Sequence, residues 1–354
     1  MRRIAFFTPG LKIGGIERVF ITYAEELLRK GYEVSYVICK DDGALKSALP
    51  SDLKIVSLGN RQLRYSIIPL YRYFKKSPVD YFISGSIIAN ALSIILCKLA
   101  RSKTKVIVSH HNYFNIEQQH LLSSLIIGFL YNKAHRIFSV SEGITDMLLK
   151  RNVKHSKLQT IYNPIDIINI KKSADEPLGI ELPEKFLLFL GRLGEVKNLL
   201  FLINAFQLAS HKDPDIHLVF MGEGPMKFQL EKKAKDMGLN DKILFLGPLS
   251  NPFPVVKHSS ALVLPSFSEA LPTVILESFA LGKTIIASPT NGAMDLLEKG
   301  KFGYLSKSFD DVEEFAALLE KGLKEPFPAN SLEIKAQNYD ISRKVNELES
   351  LFIN

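Results

Sequence analysis

Residues 261–282, ALVLPSFSEALPTVILESFALG, carry two glutamates eight positions apart, Glu269 in a polar loop and Glu277 within the helix that follows. An ionised carboxylate accepts hydrogen bonds from paired hydroxyls, so two of them at this offset suit two parts of one elongated ligand. Ala261–Leu264 reads as a strand, Ser266–Glu269 as its loop, and Leu271-Pro272 as the opening of the helix. Proline is best tolerated in a first turn, and the amides of such a turn suit an anion or hydroxyl groups. Read alone, the pair equally fits a loop glutamate beside a solvated helix glutamate.

A second cluster, GRLGEVKN at 191–198, follows another strand and places Arg192 and Lys197 at its carboxyl end. Arginine grips phosphate oxygens bidentately and lysine acts as a point charge. In isolation, two ordinary surface cations would look the same. MGEGP at 221–225 ends the next strand, and Gly222, beside Glu223, allows backbone to approach a ligand closely. Near the start, GLKIGGIE at 10–17 joins a strand to a helix without GxGxxG or P-loop spacing, which argues against a nicotinamide dehydrogenase or a P-loop kinase. Gly14 and Gly15 at that helix start still accommodate a phosphate. Ser109-His110-His111-Asn112 ends a further strand. Successive side chains point to opposite faces, so one histidine faces the ligand side and the other packs. No metal site is expected, because no further His or Cys stands at ligand spacing.

The elements that must position these residues are short apolar runs alternating with amphipathic stretches. Seven runs come first: Arg3–Thr8, Glu33–Cys39, Lys54–Leu58, Tyr81–Ser84, Lys105–Ser109, Arg136–Val140 and Gln159–Tyr162. Five more follow: Phe186–Leu190, His217–Met221, Ile243–Leu246, Ala261–Leu264 and Thr284–Ala287. Continuous apolar runs without alternation are those of parallel strands covered on both faces. The expected class is α/β, with two doubly wound parallel sheets and a ligand cleft at the carboxyl ends of the strands. The turn Asn163-Pro164 and the polar tract Lys171–Glu184 put the break near 165. That gives an N-terminal domain 1–165 and a C-terminal domain 166–338, with 339–354 as a last amphipathic helix returning to the first domain.

The chain has 354 residues, 46% hydrophobic and 23% charged, which suits two soluble globular domains and excludes general disorder. Two cysteines give no disulfide framework, MRRIAFFTPG shows no secretory signal, and the apolar stretch Ser86–Cys97 is too short to span a bilayer. A cytoplasmic location is expected. Up to Asp166 there are 24 Lys and Arg against 12 acids, and beyond it acids exceed cations by four. RQLRYSIIPLYRYFKK at 61–76 holds five cations, no acid and four aromatic rings. Such a stretch fits an anionic membrane surface or a plain solvated helix face, and no nucleic-acid motif accompanies it.

Taken in order, GGIER, VSHHN, SVSEG at 139–143, YNPID at 162–166, LGRLGEVKN, GEGP, FLG at 245–247 and EALPTVILE resemble glycosyltransferase family 4. These are retaining, nucleotide-sugar-dependent enzymes of the GT-B fold, two Rossmann-like domains facing across a cleft. The resemblance implies that Arg192 and Lys197 bind the donor diphosphate and Glu277 the ribose hydroxyls. Gly14 and Gly15 would approach the phosphates, and the turn at Gly222 and Glu223 would also line the donor. Glu269 with the backbone of Ala270, Leu271, Pro272 and Thr273 would position the sugar. The family histidine matches His111. Ala270 stands where the family often has glycine, which leaves the sugar open. PTNGAMDLL at 289–297 is similar to a variant in transferases of lipid-linked glycans, which implies a UDP-sugar donor carrying a hexose or N-acetylhexosamine. The implied setting is capsule, O-antigen or lipopolysaccharide synthesis on the inner face of a bacterial membrane, without metal or cofactor. The alternatives are a transferase acting on a small molecule and a catalytically idle binder of the same fold.

Overall fold

All twelve apolar runs form strands, and every strand pairing is parallel. The computed structural model describes residues 2–11, 14–40, 43, 45–46, 49–59, 62–111 and 126–353. Lys12, Ile13, Arg61 and Asn112, named above, lie outside the described residues. The chain divides into two units, Met1–Pro164 with Ile341–Asn354, and Ile165–Asp340.

The first unit is built on β1 (Arg3–Thr8), β2 (Glu33–Ile38), β3 (Lys54–Ser57), β4 (Tyr81–Ser84), β5 (Lys105–His110), β6 (Arg136–Ser139) and β7 (Leu158–Thr160). Their order in the sheet is β3-β2-β1-β4-β5-β6-β7. Five of the six residues of β1 are buried, as are all four of β4, because helices cover both faces. The helix Gly15–Arg29 turns Val19, Phe20, Tyr23, Ala24 and Leu27 inward at the spacing of a helical stripe. The chain runs outward from β1 to β3 and then returns to lay β4 on the other side of β1. The order therefore reverses at β1/β4, where open α/β sheets bind ligands at their carboxyl ends.

The last helix, Ile341–Ser350, belongs to this unit. Ile341, Val345, Leu348, Leu351 and Phe352 join the core of Ile4, Phe6, Tyr23 and Leu27. Each such burial contributes roughly 1.5–3 kcal/mol before conformational entropy is counted. Tyr81 stacks on Phe352 at 4.5 Å between ring centroids and donates its hydroxyl to the Phe352 carbonyl. The helix begins later than the apolar spacing suggests. Gln337–Tyr339 form a separate tight turn, and Asp340 is extended at φ −59°, ψ 141°.

The second unit holds β8 (Phe186–Leu190), β9 (His217–Met221), β10 (Ile243–Gly247), β11 (Ala261–Leu264), β12 (Thr284–Ala287) and β13 (Tyr304–Leu305), in the order β10-β9-β8-β11-β12-β13. The two-residue β13 is the one strand that periodicity does not reveal. The order reverses here between β8 and β11. The loops leaving those two strands are the ones that carry Arg192, Lys197 and Glu269. No helix among the described residues is long and apolar enough to cross a membrane.

Candidate active site

The loops leaving β8, β9 and β10 are laced by backbone hydrogen bonds. Gly191 N donates to Met221 O at 3.0 Å, Gly222 N to Gly247 O at 2.9 Å, and Leu193 N to Glu223 O at 2.9 Å. The lacing brings main chain so close that a Cβ on Gly222 would lie 1.9 Å from the Gly191 carbonyl oxygen. Gly222 also sits at φ +143°, a conformation that suits glycine. These contacts hold Arg192, whose side chain is exposed, on a fixed stretch of backbone just past the end of β8. Glu223 is exposed beside it, with Lys227 at 3.8 Å.

Beyond Arg192 a tight turn, Glu195–Lys197, ends on Asn198 in the left-handed region (φ 54°, ψ 40°), which redirects the chain into the helix Leu199–Lys212. Phe267 N donates to Val196 O at 2.9 Å, joining the loop after β8 to the loop after β11. This contact brings Lys197 to Glu269. The ammonium Nζ lies 2.5 Å from Oε1, and the two side chains are 21% and 14% exposed. Ser266 Oγ donates to the same oxygen at 2.8 Å. The site thus holds one strong acceptor, one cation already neutralised by it, and a second cation, Arg192, on the neighbouring stretch.

Pro272 is not inside the first turn, as its position in the motif suggests, but caps it. Its φ and ψ are −74° and 101°, the helix runs Thr273–Ala280, and Ile275 N donates to its carbonyl at 3.0 Å. Glu277 is half-buried on that helix. The loop Glu269–Pro272 rests on the turn that starts the helix Asn291–Leu296, where Gly292 N donates to Glu269 O at 3.2 Å. A Cβ on Gly292 would lie 2.8 Å from both the Ala270 carbonyl oxygen and the Pro272 ring. Ser266 and Gly292 are therefore parts of the site that motif reading left without a role. The Ser-x-x-Glu spacing marks the first, and no local signal marks the second.

The remaining candidates lie on the first unit. Gly14 is the N-cap of Gly15–Arg29, and a Cβ there would lie 2.3 Å from Glu17 Oε2, so the Glu17 carboxylate folds back over it. Gly15 has nothing within 4 Å of a built Cβ. The two histidines at the end of β5 point different ways, as strand alternation requires. His110 Nδ1 meets the Tyr131 hydroxyl at 3.1 Å, which Asn90 Nδ2 also reaches at 3.0 Å, while Asn90 Oδ1 accepts from Ser84 Oγ at 2.7 Å. His111 packs edge-on to Phe20 and Phe138 and hydrogen-bonds Ser109 Oγ through Nε2.

Burial, and secondarily the neighbouring His110, depress the His111 pKa to about 3 from an ordinary 6.5. A neutral imidazole can orient a polar group but adds no charge at neutral pH. The same shift sets a pH dependence of stability. Below pH 6.5 the unfolded chain binds a proton that the folded one refuses, so stability is undiminished above that value and falls as pH drops towards 3. At pH 5 the loss from this residue is about 2 kcal/mol. The stability lost between pH 7 and pH 5, followed by urea unfolding, is expected to be smaller in His111→Gln than in the wild type by about that amount. An unchanged slope in the variant would refute the assignment.

Among the described residues no three His, Cys, Asp or Glu side chains group to hold a metal ion. The site is one of cations, carboxylates and close backbone at a sheet's switch point, chemistry suited to a phosphorylated, hydroxyl-rich ligand. Residues 13–168 match the family described as Glycosyltransferase Family 4, and residues 170–339 match Glycosyl transferases group 1. The chain is 30% identical over 332 residues to an α-1,4-N-acetyl-D-galactosaminyltransferase of Campylobacter jejuni that acts on GalNAc-alpha-(1->4)-GalNAc-alpha-(1->3)-diNAcBac-PP-undecaprenol, with 88% of this chain and 86% of that one covered. It is 27% identical to a second C. jejuni enzyme, N-acetylgalactosamine-N,N'-diacetylbacillosaminyl-diphospho-undecaprenol 4-alpha-N-acetylgalactosaminyltransferase, covering 90% and 89%. The solved structure of Anabaena Alr3699/HepE with UDP and glucose superposes with a TM-score of 0.81 at 18% identity, covering 99% of both chains. Two doubly wound parallel sheets in one chain, with these matches, make it a GT-B protein and a member of glycosyltransferase family 4.

Proposed function

We propose that this glycosyltransferase moves a hexose or N-acetylhexosamine from a UDP-sugar, with retention, to a lipid-linked glycan acceptor. The setting is surface polysaccharide synthesis, of the kind that builds capsule or lipopolysaccharide, at the inner face of the bacterial membrane. The observation that carries this reading is the Lys197–Glu269 pair beside Arg192, held at the β8/β11 switch point of the second unit. The undecaprenol-linked substrates of the Campylobacter relatives, and the UDP in the HepE structure, support the choice of acceptor and nucleotide.

In this reading Arg192 and Lys197 meet the charge of the diphosphate, and the reaction needs neither metal nor cofactor. Glu277 holds the ribose hydroxyls, the Gly222–Glu223 turn flanks the donor, and Glu269 with the backbone of Ala270, Leu271, Pro272 and Thr273 positions the sugar. Gly14, Gly15 and His111 serve the same donor. The bond from the anomeric carbon to the β-phosphate oxygen breaks, and a new one forms to the acceptor hydroxyl on the same face. The acceptor proton passes to the departing phosphate. Fixed cations that stabilise that departure are preorganised electrostatics, the largest single contribution in many enzymes.

Calorimetry against UDP, GDP and ADP, followed by a screen of UDP-sugars with an undecaprenyl-diphosphate-linked acceptor, tests the proposal. UDP should bind at least tenfold more tightly than the other two, and the product should keep the donor's anomeric configuration by NMR. Absence of nucleoside diphosphate binding would overturn the reading, and transfer only to small soluble acceptors would remove its lipid-linked part.

A further inference from the structure

From Leu53 to Ile116 the chain carries ten lysines and arginines and one acid, Asp80, so this stretch alone exceeds the net +8 of the whole protein. Asp80 is engaged, accepting from Arg3 N at 2.7 Å. Two helices of the first unit, packed on each other, arise from this stretch: Ile67–Lys76 and Ile87–Leu99. The first buries Leu70 and Phe74 and exposes Ile68, Arg72, Lys75 and Lys76.

The second helix is apolar on its outer face as well as its inner one, against the usual rule for a solvated surface. It buries Ile94, Leu96 and Cys97 with Asn90 and Ser93, whose polar atoms are hydrogen-bonded inside the unit, and it exposes further aliphatic side chains on its outer face. Ile88 and Leu99 are each 63% exposed and Ile95 38%. With the half-buried Leu92 they form one stripe at i, i+4, i+7 and i+11. Lys98 and Arg101 stand exposed at its end. The segment Ile126–Leu130, in contact with this helix, adds Phe129, 66% exposed, with Lys133 Nζ 4.3 Å from its ring centroid. Water is a poor partner for these aliphatic side chains and a phenyl ring. A concentrated cationic rim disfavours burial against a basic or apolar protein face. An interfacial helix with apolar residues outward and lysines and arginines around them is built for an anionic bilayer, where the two contributions add.

We infer that this face of the first unit docks on an anionic lipid surface, with Ile88, Ile95, Leu99 and Phe129 at the acyl boundary and the flanking cations among the headgroups. The inference rests on the reading that the acceptor is membrane-borne, and it names the surface by which the enzyme reaches it. It is tested by flotation of the full chain, without donor or acceptor, on phosphatidylcholine vesicles and on mixed phosphatidylcholine–phosphatidylglycerol vesicles. The wild type should float with the mixed vesicles at least tenfold better than with phosphatidylcholine alone. The Ile95→Glu/Leu99→Glu double variant and, separately, Phe129→Ser should each lose most of that binding while retaining UDP affinity by calorimetry and the wild-type melting temperature. No flotation, equal flotation on neutral vesicles, or wild-type flotation of both variants would overturn the inference. Loss of UDP binding in the wild type would instead count against the catalytic reading, so the two failures are separable.

Discussion

Lys197→Ala lowers sugar transfer by about two to three orders of magnitude and weakens UDP binding, whereas Glu269→Gln loses transfer to a similar degree without losing UDP affinity. The opposite effects on binding follow from the ion pair. The Lys197 ammonium is paired with Glu269 at 2.5 Å, in a place where both side chains are largely shielded. An incoming diphosphate must compete for that cation. Replacing the carboxylate by an amide of equal size leaves the ammonium available, so nucleoside diphosphate binds as tightly as before or more tightly. On the proposed function the sugar then lacks its strongest acceptor, and turnover falls. Removing the lysine takes away a charge that the leaving group needs in the transition state, so binding and rate fall together. Calorimetry with UDP and initial rates on the two single variants and the double variant decide the matter. Wild-type turnover in both single variants would dismiss the pair from the site, and parallel losses of UDP affinity would refute the competition between carboxylate and diphosphate.

Gly222→Ala is expected to cost of order 3 kcal/mol or more in stability, because two penalties coincide. The residue sits at φ +143°, and the added methyl would fall 1.9 Å from the Gly191 carbonyl oxygen. Relief requires moving the backbone that carries Arg192, so UDP affinity falls as well. Gly194→Ala is the control. Its backbone is extended at φ −127°, and nothing lies within 4 Å of the built methyl, so its unfolding midpoint stays within about 0.5 kcal/mol of wild type. Urea unfolding of the two variants side by side tests the comparison, and similar midpoints would refute it.

Most of the strands were legible because they are unbroken apolar runs, the pattern demanded by cover on both faces; Lys54–Ser57 and Leu158–Thr160, neither with a fully buried residue, are the weaker cases. Tyr304–Leu305 was not, since two residues carry no period. Both members of the Lys197–Glu269 contact stood in recognisable motifs, but nothing local says that they meet. They lie 72 positions apart, and their meeting depends on β11 pairing with β8 rather than with β10. Strand alternation foretold that His110 and His111 would part. It could not foretell that Tyr131, its hydroxyl also held by Asn90, would claim the first. The segment Ser86–Cys97 looked like an apolar run too short to span a bilayer. Only its packing shows that the two polar residues interrupting it are turned inward while Ile88 and Ile95 face out.

Five apolar side chains from Ile341 to Phe352 complete the core around β1, and they are made only after the whole second unit. During synthesis the first 164 residues therefore leave the ribosome with an open flank over Tyr23, Leu27 and Tyr81, while the whole of Ile165–Asp340 is still to come. The guest unit, contiguous in the nascent chain, is free to finish folding first. The host waits for Ile341–Ser350, so a chain cut just before that helix carries a sound second unit joined to a first one that chaperones and proteases will treat as unfinished.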